Sequence, residues 1–206
     1  MTDATHRLLV FRHGETEWSR SGKHTSVTDL SLTETGRQQA VLLRPLLRDL
    51  RFARVMTSPL LRALQTCQLA GLSGYADVSD DLMEWNYGDY EGLTSEEIHR
   101  TRPGWTVFRD GCPHGETPAE VARRVDRVIE EVRASRGDVA LFSHGHVLSV
   151  LAARWLGLGP GEGGMFVLDT STVNILGYSH GLPALVAWNA PLDLASAMKN
   201  PGIAKL

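Results

Sequence analysis

The sequence predicts an α/β fold: a three-layer α/β/α arrangement around a mostly parallel central sheet. Three observations lead there. Short apolar runs alternate with stretches whose apolar residues recur at helical spacing. Helix start and stop signals separate the two kinds of segment. Two of the apolar runs, Leu8–Phe11 and Val139–Phe142, lead into the same corner, a histidine followed by glycine, at His13-Gly14 and His144-Gly145.

In chain order, Leu8–Phe11 reads as a buried strand, followed by a loop rich in Gly, Ser and Thr. Ser31–Glu34 (SLTE) has the form of a capping box, with Ala40, Leu43 and Leu47 continuing at helical spacing. Pro45 is expected to bend or interrupt that helix. Arg54–Thr57 is the next strand. Ser58-Pro59 then offers an N-cap and a first-turn proline to a helix reaching about Ala70, with Gly71 closing it. The segment 72–117 is less regular and reads as a lid-like insertion. It holds a short helical stretch from Thr94, and a loop through Arg102–Glu116. Thr117–Glu120 (TPAE) is a second capping box, and Val121, Val125, Val128, Ile129 and Val132 form an apolar stripe ending before Gly137. A strand over Val139–Phe142, a helix over His146–Leu156 closed by Gly157, and strands at Phe166–Leu168, Val173–Leu176 and Leu185–Trp188 complete a single domain over 1–206.

The 206 residues suffice to bury a core without staples, and 42% apolar with 22% charged residues is an ordinary globular mixture. A formal net charge of -3 argues against a nucleic-acid or membrane surface, so any basic site for an anion must be local. Cys67 and Cys112 form no Cys-x-x-Cys pair and read as inert reduced thiols. The stretch after the N-terminal MTDATHR is too short for a signal-peptide core, and no apolar run reaches membrane-span length, so a cytoplasmic protein is expected.

Ligands of open α/β sheets bind beyond the carboxyl ends of the strands, where both His-Gly corners fall. Taken alone, a histidine there is more often structural than catalytic, and its neighbours decide the matter. Arg12 is a fixed cation, costly to bury without an anion. Gly14 allows close backbone approach. Arg62 falls in the first turn of the helix after Ser58, near amides that attract anions. If the strand ends are neighbours, two arginines and two histidines make a pocket for a tetrahedral dianion, most simply phosphate. The same cations would hold a histidine neutral and nucleophilic, given an acceptor for its other ring nitrogen. His144 and His146 lack the spacing of a helical metal site, and no Gly-x-Gly-x-x-Gly turn follows the first strand, which argues against a dinucleotide-binding oxidoreductase.

Four blocks in order, RHGET (Arg12–Thr16), SPLLRALQT (Ser58–Thr66), LMEWNYGDYEGL (Leu82–Leu93) and FSHG (Phe142–Gly145), resemble the histidine phosphatase superfamily, also called phosphoglycerate mutase-like. The resemblance runs from Leu8 to about Leu156. It implies a phosphohistidine mechanism with His13 as nucleophile, phosphate binding by Arg12, Arg62, His144 and Gly145, and Glu84 as proton donor. It implies no metal and no cofactor. Partial burial of Glu84 among Met83, Trp85 and Tyr87 would raise its pKa and keep it able to donate.

Ser19 stands where many relatives carry asparagine, and Ser26 where many carry glycine. Ser19 and Thr25 either bond phosphate or substrate or merely form turns. Trp18, Trp85 and Trp105 either line a substrate pocket or pack in the core. Arg123 and Arg124 read as solvated helix residues. The superfamily holds mutases and phosphatases. Mutase-type relatives carry a basic residue after the catalytic glutamate and a longer cationic insertion, whereas here Trp85 follows Glu84 and the segment from Thr94 to Pro113 is short. Hydrolysis of small phosphate monoesters, as by acid or sugar-phosphate phosphatases, is therefore the expected activity. Phosphoglycerate mutase-type transfer is the alternative, and a non-catalytic phosphate-binding module a remoter one. The expected partner is a small phosphorylated metabolite, and the family is compatible with a homodimer.

Overall fold

In a computed structural model of the chain, which describes residues 6–170 and 172–192, six strands form one sheet. They are β1 (Leu8–Arg12), β2 (Arg54–Thr57), β3 (Ala76–Val78), β4 (Val139–Ser143), β5 (Val173–Ser179) and β6 (Leu182–Ala190), in the order β3-β2-β4-β1-β5-β6. The pairs β1–β4, β2–β4 and β2–β3 are parallel, and β1–β5 and β5–β6 antiparallel. The ends of the domain expected over 1–206 lie outside the described residues.

Among the described residues seven α-helices flank the sheet: α1 (Glu17–Arg20), α2 (Glu34–Leu47), α3 (Leu61–Leu69), α4 (Ser95–Thr101), α5 (Val107–Asp110), α6 (Pro118–Ala134) and α7 (Gly145–Trp155). Alternation along β1 divides the core between the two faces. Leu8 and Val10 join a cluster with Val121, Val125, Leu148 and Trp155, under α6 and α7. Leu9 and Phe11 join one with Leu43, Leu47, Cys67 and Ala70, under α2 and α3. Each such fully buried side chain contributes roughly 1.5–3 kcal/mol relative to exposure. Burial also pushes both thiols, Cys67 and Cys112, up to about 12.

The Thr117–Glu120 box forms as expected, with Pro118 in the first turn, and Thr94 makes another with Glu97. Two helix-start expectations are corrected, and of the two outcomes expected at Pro45, interruption does not occur. Helix α2 is capped by Thr33 onto Gly36, not by Ser31 onto Glu34. Thr33 is fixed there because its amide and hydroxyl also bond Glu15. A side chain at Gly36 would lie 2.2 Å from the Glu15 carbonyl, and one at Gly14 would lie 2.4 Å from that of Gly36, so only glycines allow this contact. Helix α3 starts at Leu61, and its amide is capped across the loop by Asp29 at 2.7 Å, while Ser58 Oγ accepts from the Leu60 amide, one residue before the helix, and from His144. Helix α2 runs uninterrupted through Pro45, which lies on the exposed face.

The expected strand Phe166–Leu168 is not one. It follows a 3-10 turn over Pro160–Met165, and its carbonyls go to side chains instead: Val167 accepts from Trp188 Nε1 and Leu168 from Arg12 Nη1, both at 2.6 Å. Conversely, Ala76–Val78, within the segment read as irregular, is the edge strand beside β2.

Candidate active site

The register of β1 on β4 pairs Arg12 with Ser143, so the next residues, His13 and His144, emerge side by side. Their rings lie edge to face, 5.1 Å apart. The His13 amide donates to the Ser143 carbonyl at 2.9 Å and continues the ladder one residue past the strand.

His13 is 5% exposed. Its Nδ1 lies 2.8 Å from the Gly14 carbonyl, which can only accept, so Nδ1 carries the proton and Nε2 keeps its lone pair. Burial, then the Arg12 and Arg62 charges, hold its pKa well below the usual histidine value, against the raising effect of the Gly14 bond. His144 has the opposite tautomer. Arg62 Nε donates to its Nδ1 at 3.1 Å, so Nε2 carries the proton and donates to Ser58 Oγ at 2.7 Å. Burial first, then Arg62 and His13, keep it neutral as well.

Arg62 is fully buried and also donates to the carbonyls of Thr28, Thr25 and Ser26, each at 3.1 Å. Arg12 donates to Leu168, but its Nε is buried with no partner among the described residues. Among those residues neither arginine forms an ion pair with a carboxylate. Arg12 is half-buried, and a cation with a buried, unpaired Nε–H suits an anionic oxygen.

Glu84 is 7% exposed and docks on the first turn of α7. Its Oε2 accepts from the His146 amide at 3.1 Å, and its Oε1 from the amides of Val147 at 3.0 Å and Trp85 at 2.9 Å. The helix that begins next to His144 thus also seats the carboxylate. Behind it stands Arg124, which is buried, not solvated as the sequence suggested. Its Nη1 donates to the carbonyls of Asp81 and Met83 at 2.8 and 2.7 Å, and its Nε and Nη2 take the Glu116 carboxylate at 2.8 and 3.1 Å. Glu116 in turn accepts from the Asn86 amide through Oε2 and from Trp85 Nε1 through its carbonyl. The pair grips the backbone on both sides of Glu84. Arg124 is spaced i+3 from Val121 and i−4 from Val128, a mark of the inward stripe that the sequence does carry.

A cavity of about 370 Å³ opens onto Arg12, His13 and Glu84. Gly145, Ser19 and Thr25 also line it, whereas Arg62 and His144 lie behind this surface, fully buried. The Ser19 hydroxyl is engaged in a capping box with Thr16, and Thr25 Oγ1 donates to the Lys23 carbonyl, so both hydroxyls serve local turns here. None of Trp18, Trp85 and Trp105 lines the cavity. Trp85 and Trp105 are core residues whose Nε1 groups bond the carbonyls of Glu116 and Gly111. The aromatic wall is instead Tyr87, Phe108 and Phe166, together with the imidazoles of His24 and His146, which sequence reasoning missed as lining residues. Among the described residues no group of three or more His, Cys, Asp or Glu side chains is placed to hold a metal ion.

Comparison with known proteins fits this geometry. A profile of the histidine phosphatase superfamily (branch 1) matches residues 8–191. An acid phosphatase of Mycobacterium tuberculosis is 44% identical over 185 residues, covering 87% of this chain and 90% of that protein. A sedoheptulose 1,7-bisphosphatase of Saccharomyces cerevisiae is 38% identical over 192 residues, covering 77% and 70%. The solved structure of an open reading frame from Mycobacterium tuberculosis superposes with a TM-score of 0.86 at 42% identity, covering 91% of this chain and 98% of that one. With the family pattern, the fold and the strand-end residues in agreement, the chain belongs to the histidine phosphatase superfamily.

Proposed function

We propose that the chain hydrolyses small phosphate monoesters in two steps through a phosphohistidine on His13. The phosphatase class itself follows from the family and from phosphatase relatives across most of the chain. In the first step the Nε2 lone pair of His13 attacks phosphorus, a P–N bond forms and the P–O bond to the alcohol breaks. Glu84, carrying a proton, gives it to the departing alkoxide. In the second step Glu84, now a carboxylate, takes a proton from water as the water oxygen attacks phosphorus. The P–N bond breaks, its electron pair returns to Nε2, and inorganic phosphate leaves.

The observation that carries this reading is the state of His13: neutral, with its proton fixed on the Gly14 side and its lone pair on the other, beside two guanidinium groups that form no ion pair among the described residues. Arg12 and Arg62 supply the charge that the transferring group needs, so no metal is required. His144, with its proton on Nε2, can exchange its bond to Ser58 for one to a phosphoryl oxygen. Hydrolysis is favoured over mutase transfer because Trp85, not a cation, follows Glu84. We read residues 1–206 as one domain, with 72–117 lending Tyr87 and Phe108 to the cavity wall as a lid-like insertion. Among the described residues no helix is long and apolar enough to cross a membrane. A cytoplasmic setting, where phosphorylated metabolites are held, suits the activity, and a homodimer is compatible with it.

The deciding assay measures phosphate release from a panel of esters that includes 3-phosphoglycerate, with and without EDTA. The expected result is hydrolysis that EDTA leaves unchanged. Loss on chelation, restored by a divalent ion, overturns the metal-free mechanism. Isomerisation of 3-phosphoglycerate faster than its hydrolysis overturns the choice of phosphatase.

A further inference from the structure

The cavity wall holds two imidazoles that the phosphoryl chemistry leaves unused. His24 and His146 have ring centroids 5.8 Å apart and planes tilted by 31°. Each is anchored through Nδ1 and has no partner on Nε2 among the described residues. His24 Nδ1 lies 2.8 Å from the Leu93 carbonyl, an acceptor only, so that nitrogen carries the proton and Nε2 presents a bare lone pair. His146 Nδ1 lies 2.6 Å from the Tyr87 hydroxyl, which has no other partner among the described residues. The phenol donates to Nδ1, and Nε2 of His146 then carries the proton. Phe108 packs edge to face on His146, 5.1 Å away, and Tyr87 on His24, 4.8 Å away, so both rings are fixed in orientation.

We propose that His24 and His146 form a hydroxyl-reading pair for the leaving group, one ring accepting from and the other donating to neighbouring hydroxyls of a polyhydroxylated alkyl phosphate. This rests on the phosphatase reading and deepens it to a substrate class. A hydroxyl is the group that fits, because it both donates and accepts, so it can give a proton to His24 Nε2 and take one from His146 Nε2. A second anionic group fits poorly. Burial lowers His24 and takes His146 down to about 4, so both rings are neutral near pH 7. Arg12 belongs to the phosphoryl end. Lys23, the other cation lining the cavity, sits 5.6 Å from the Trp18 ring. An apolar leaving group would bury both Nε2 atoms unpaired, the kind of mismatch that a polar site rejects strongly.

The test compares kcat/KM for glycerol 3-phosphate with that for propyl phosphate, an ester of the same carbon chain without hydroxyls. The wild-type protein is expected to prefer the glycerol ester by about 10-fold or more. In His24→Phe and His146→Phe, which keep the aromatic packing, that ratio should fall several-fold in each and approach one in the double variant. Because the ratio is internal to each protein, a general loss of activity does not mimic the result. An unchanged ratio in folded variants overturns the proposal. So does a wild-type ratio near one, which needs no variant, or a wild-type preference for 3-phosphoglycerate over the glycerol ester. Failure of the wild-type protein to hydrolyse any of the three esters would instead overturn the phosphatase reading beneath it.

Discussion

The two ends of the catalytic constellation are built in contrasting ways. The phosphoryl end grows out of the sheet: Arg12 closes β1, His13 continues its ladder, and His144 follows β4 directly. The Glu84 end has no strand or long helix of its own. A 3-10 turn over Asp80–Leu82 leads into it, and its position comes from bonds to α7, Arg124 and Glu116. One end inherits its geometry from backbone pairing, and the other borrows it from side chains far along the chain. The first should therefore fail only when a reacting group is removed, and the second also when a remote support is removed.

The largest effect expected is at the sheet-built end. His13→Ala should lower kcat by about 10⁴-fold or more, as removal of a nucleophile does elsewhere, with the circular dichroism of the fold retained. Quenching the wild-type protein with labelled substrate, without acid, should trap a base-stable, acid-labile phosphoenzyme labelled at His13. A label on His144 or on a serine would reassign the nucleophile. Glu84→Gln comes next. General acid catalysis contributes ~10²–10⁴ in rate, and an alkoxide needs it far more than p-nitrophenolate does. The variant should lose a large part of that range in kcat/KM for an alkyl phosphate and much less for p-nitrophenyl phosphate. Equal losses would remove Glu84 from the acid's role and turn attention to Asp81, Asp89 or Glu91.

Arg124→Met sharpens the contrast directly. It removes a support of Glu84 without touching the cavity, and should show the same dependence on leaving group in weaker form, roughly 10-fold for the alkyl ester. Arg124→Lys should not rescue it, because one ammonium cannot span two carbonyls and a carboxylate. Equal loss on both esters would reduce Arg124 to a purely structural residue. The smallest effect concerns pH. His13, His24, His144 and His146 all have lowered folded pKa values, burial being the first cause in each. The unfolded chain then binds more protons than the folded one once the pH falls below about 6.5. Stability should be full above that value and decline as the pH drops toward the folded pKa values. A Tm that rises on acidification from pH 7 to 5 would contradict this.

The sheet-built end was legible in the sequence because its signals are local. An apolar run, a basic or small residue and His-Gly lie within a few positions, and the strand period places them. The helix stripes of α6 and the Thr117 box were legible for the same reason. What escaped reading depends on partners distant in the chain. The start of α3 is set by Asp29, and that of α2 by contact with Glu15. Arg124 looked solvated because the carbonyls it serves lie 43 and 41 residues earlier. Trp85 and Trp105 stand out in the sequence through size, yet they are core residues whose indole N–H groups bond carbonyls. Phe166–Leu168 is apolar enough for a strand but has no edge beside it, and its carbonyls serve Arg12 and Trp188.

The sheet order also bears on how the protein emerges from the ribosome. Strand β4 pairs with both β1 and β2, and the bond between the Arg7 amide and Asp138 at its foot spans 131 residues. At synthesis rates of about 5–20 residues per second, β1 waits on the order of ten seconds for that neighbour. Until then, among the described strands, β2 and β3 are the only sheet pair the nascent chain can form, and the apolar strand that leads into the nucleophile is open on both edges, a condition that invites pairing with other chains. His144 follows β4 immediately, so the strand that closes the sheet delivers the last phosphate-binding residue in the same stretch. A chain halted before Val139 would carry Arg12, His13, Arg62 and Glu84 with no β4 to bring them together, so a prematurely released fragment is a burden for chaperones and not a stray phosphatase.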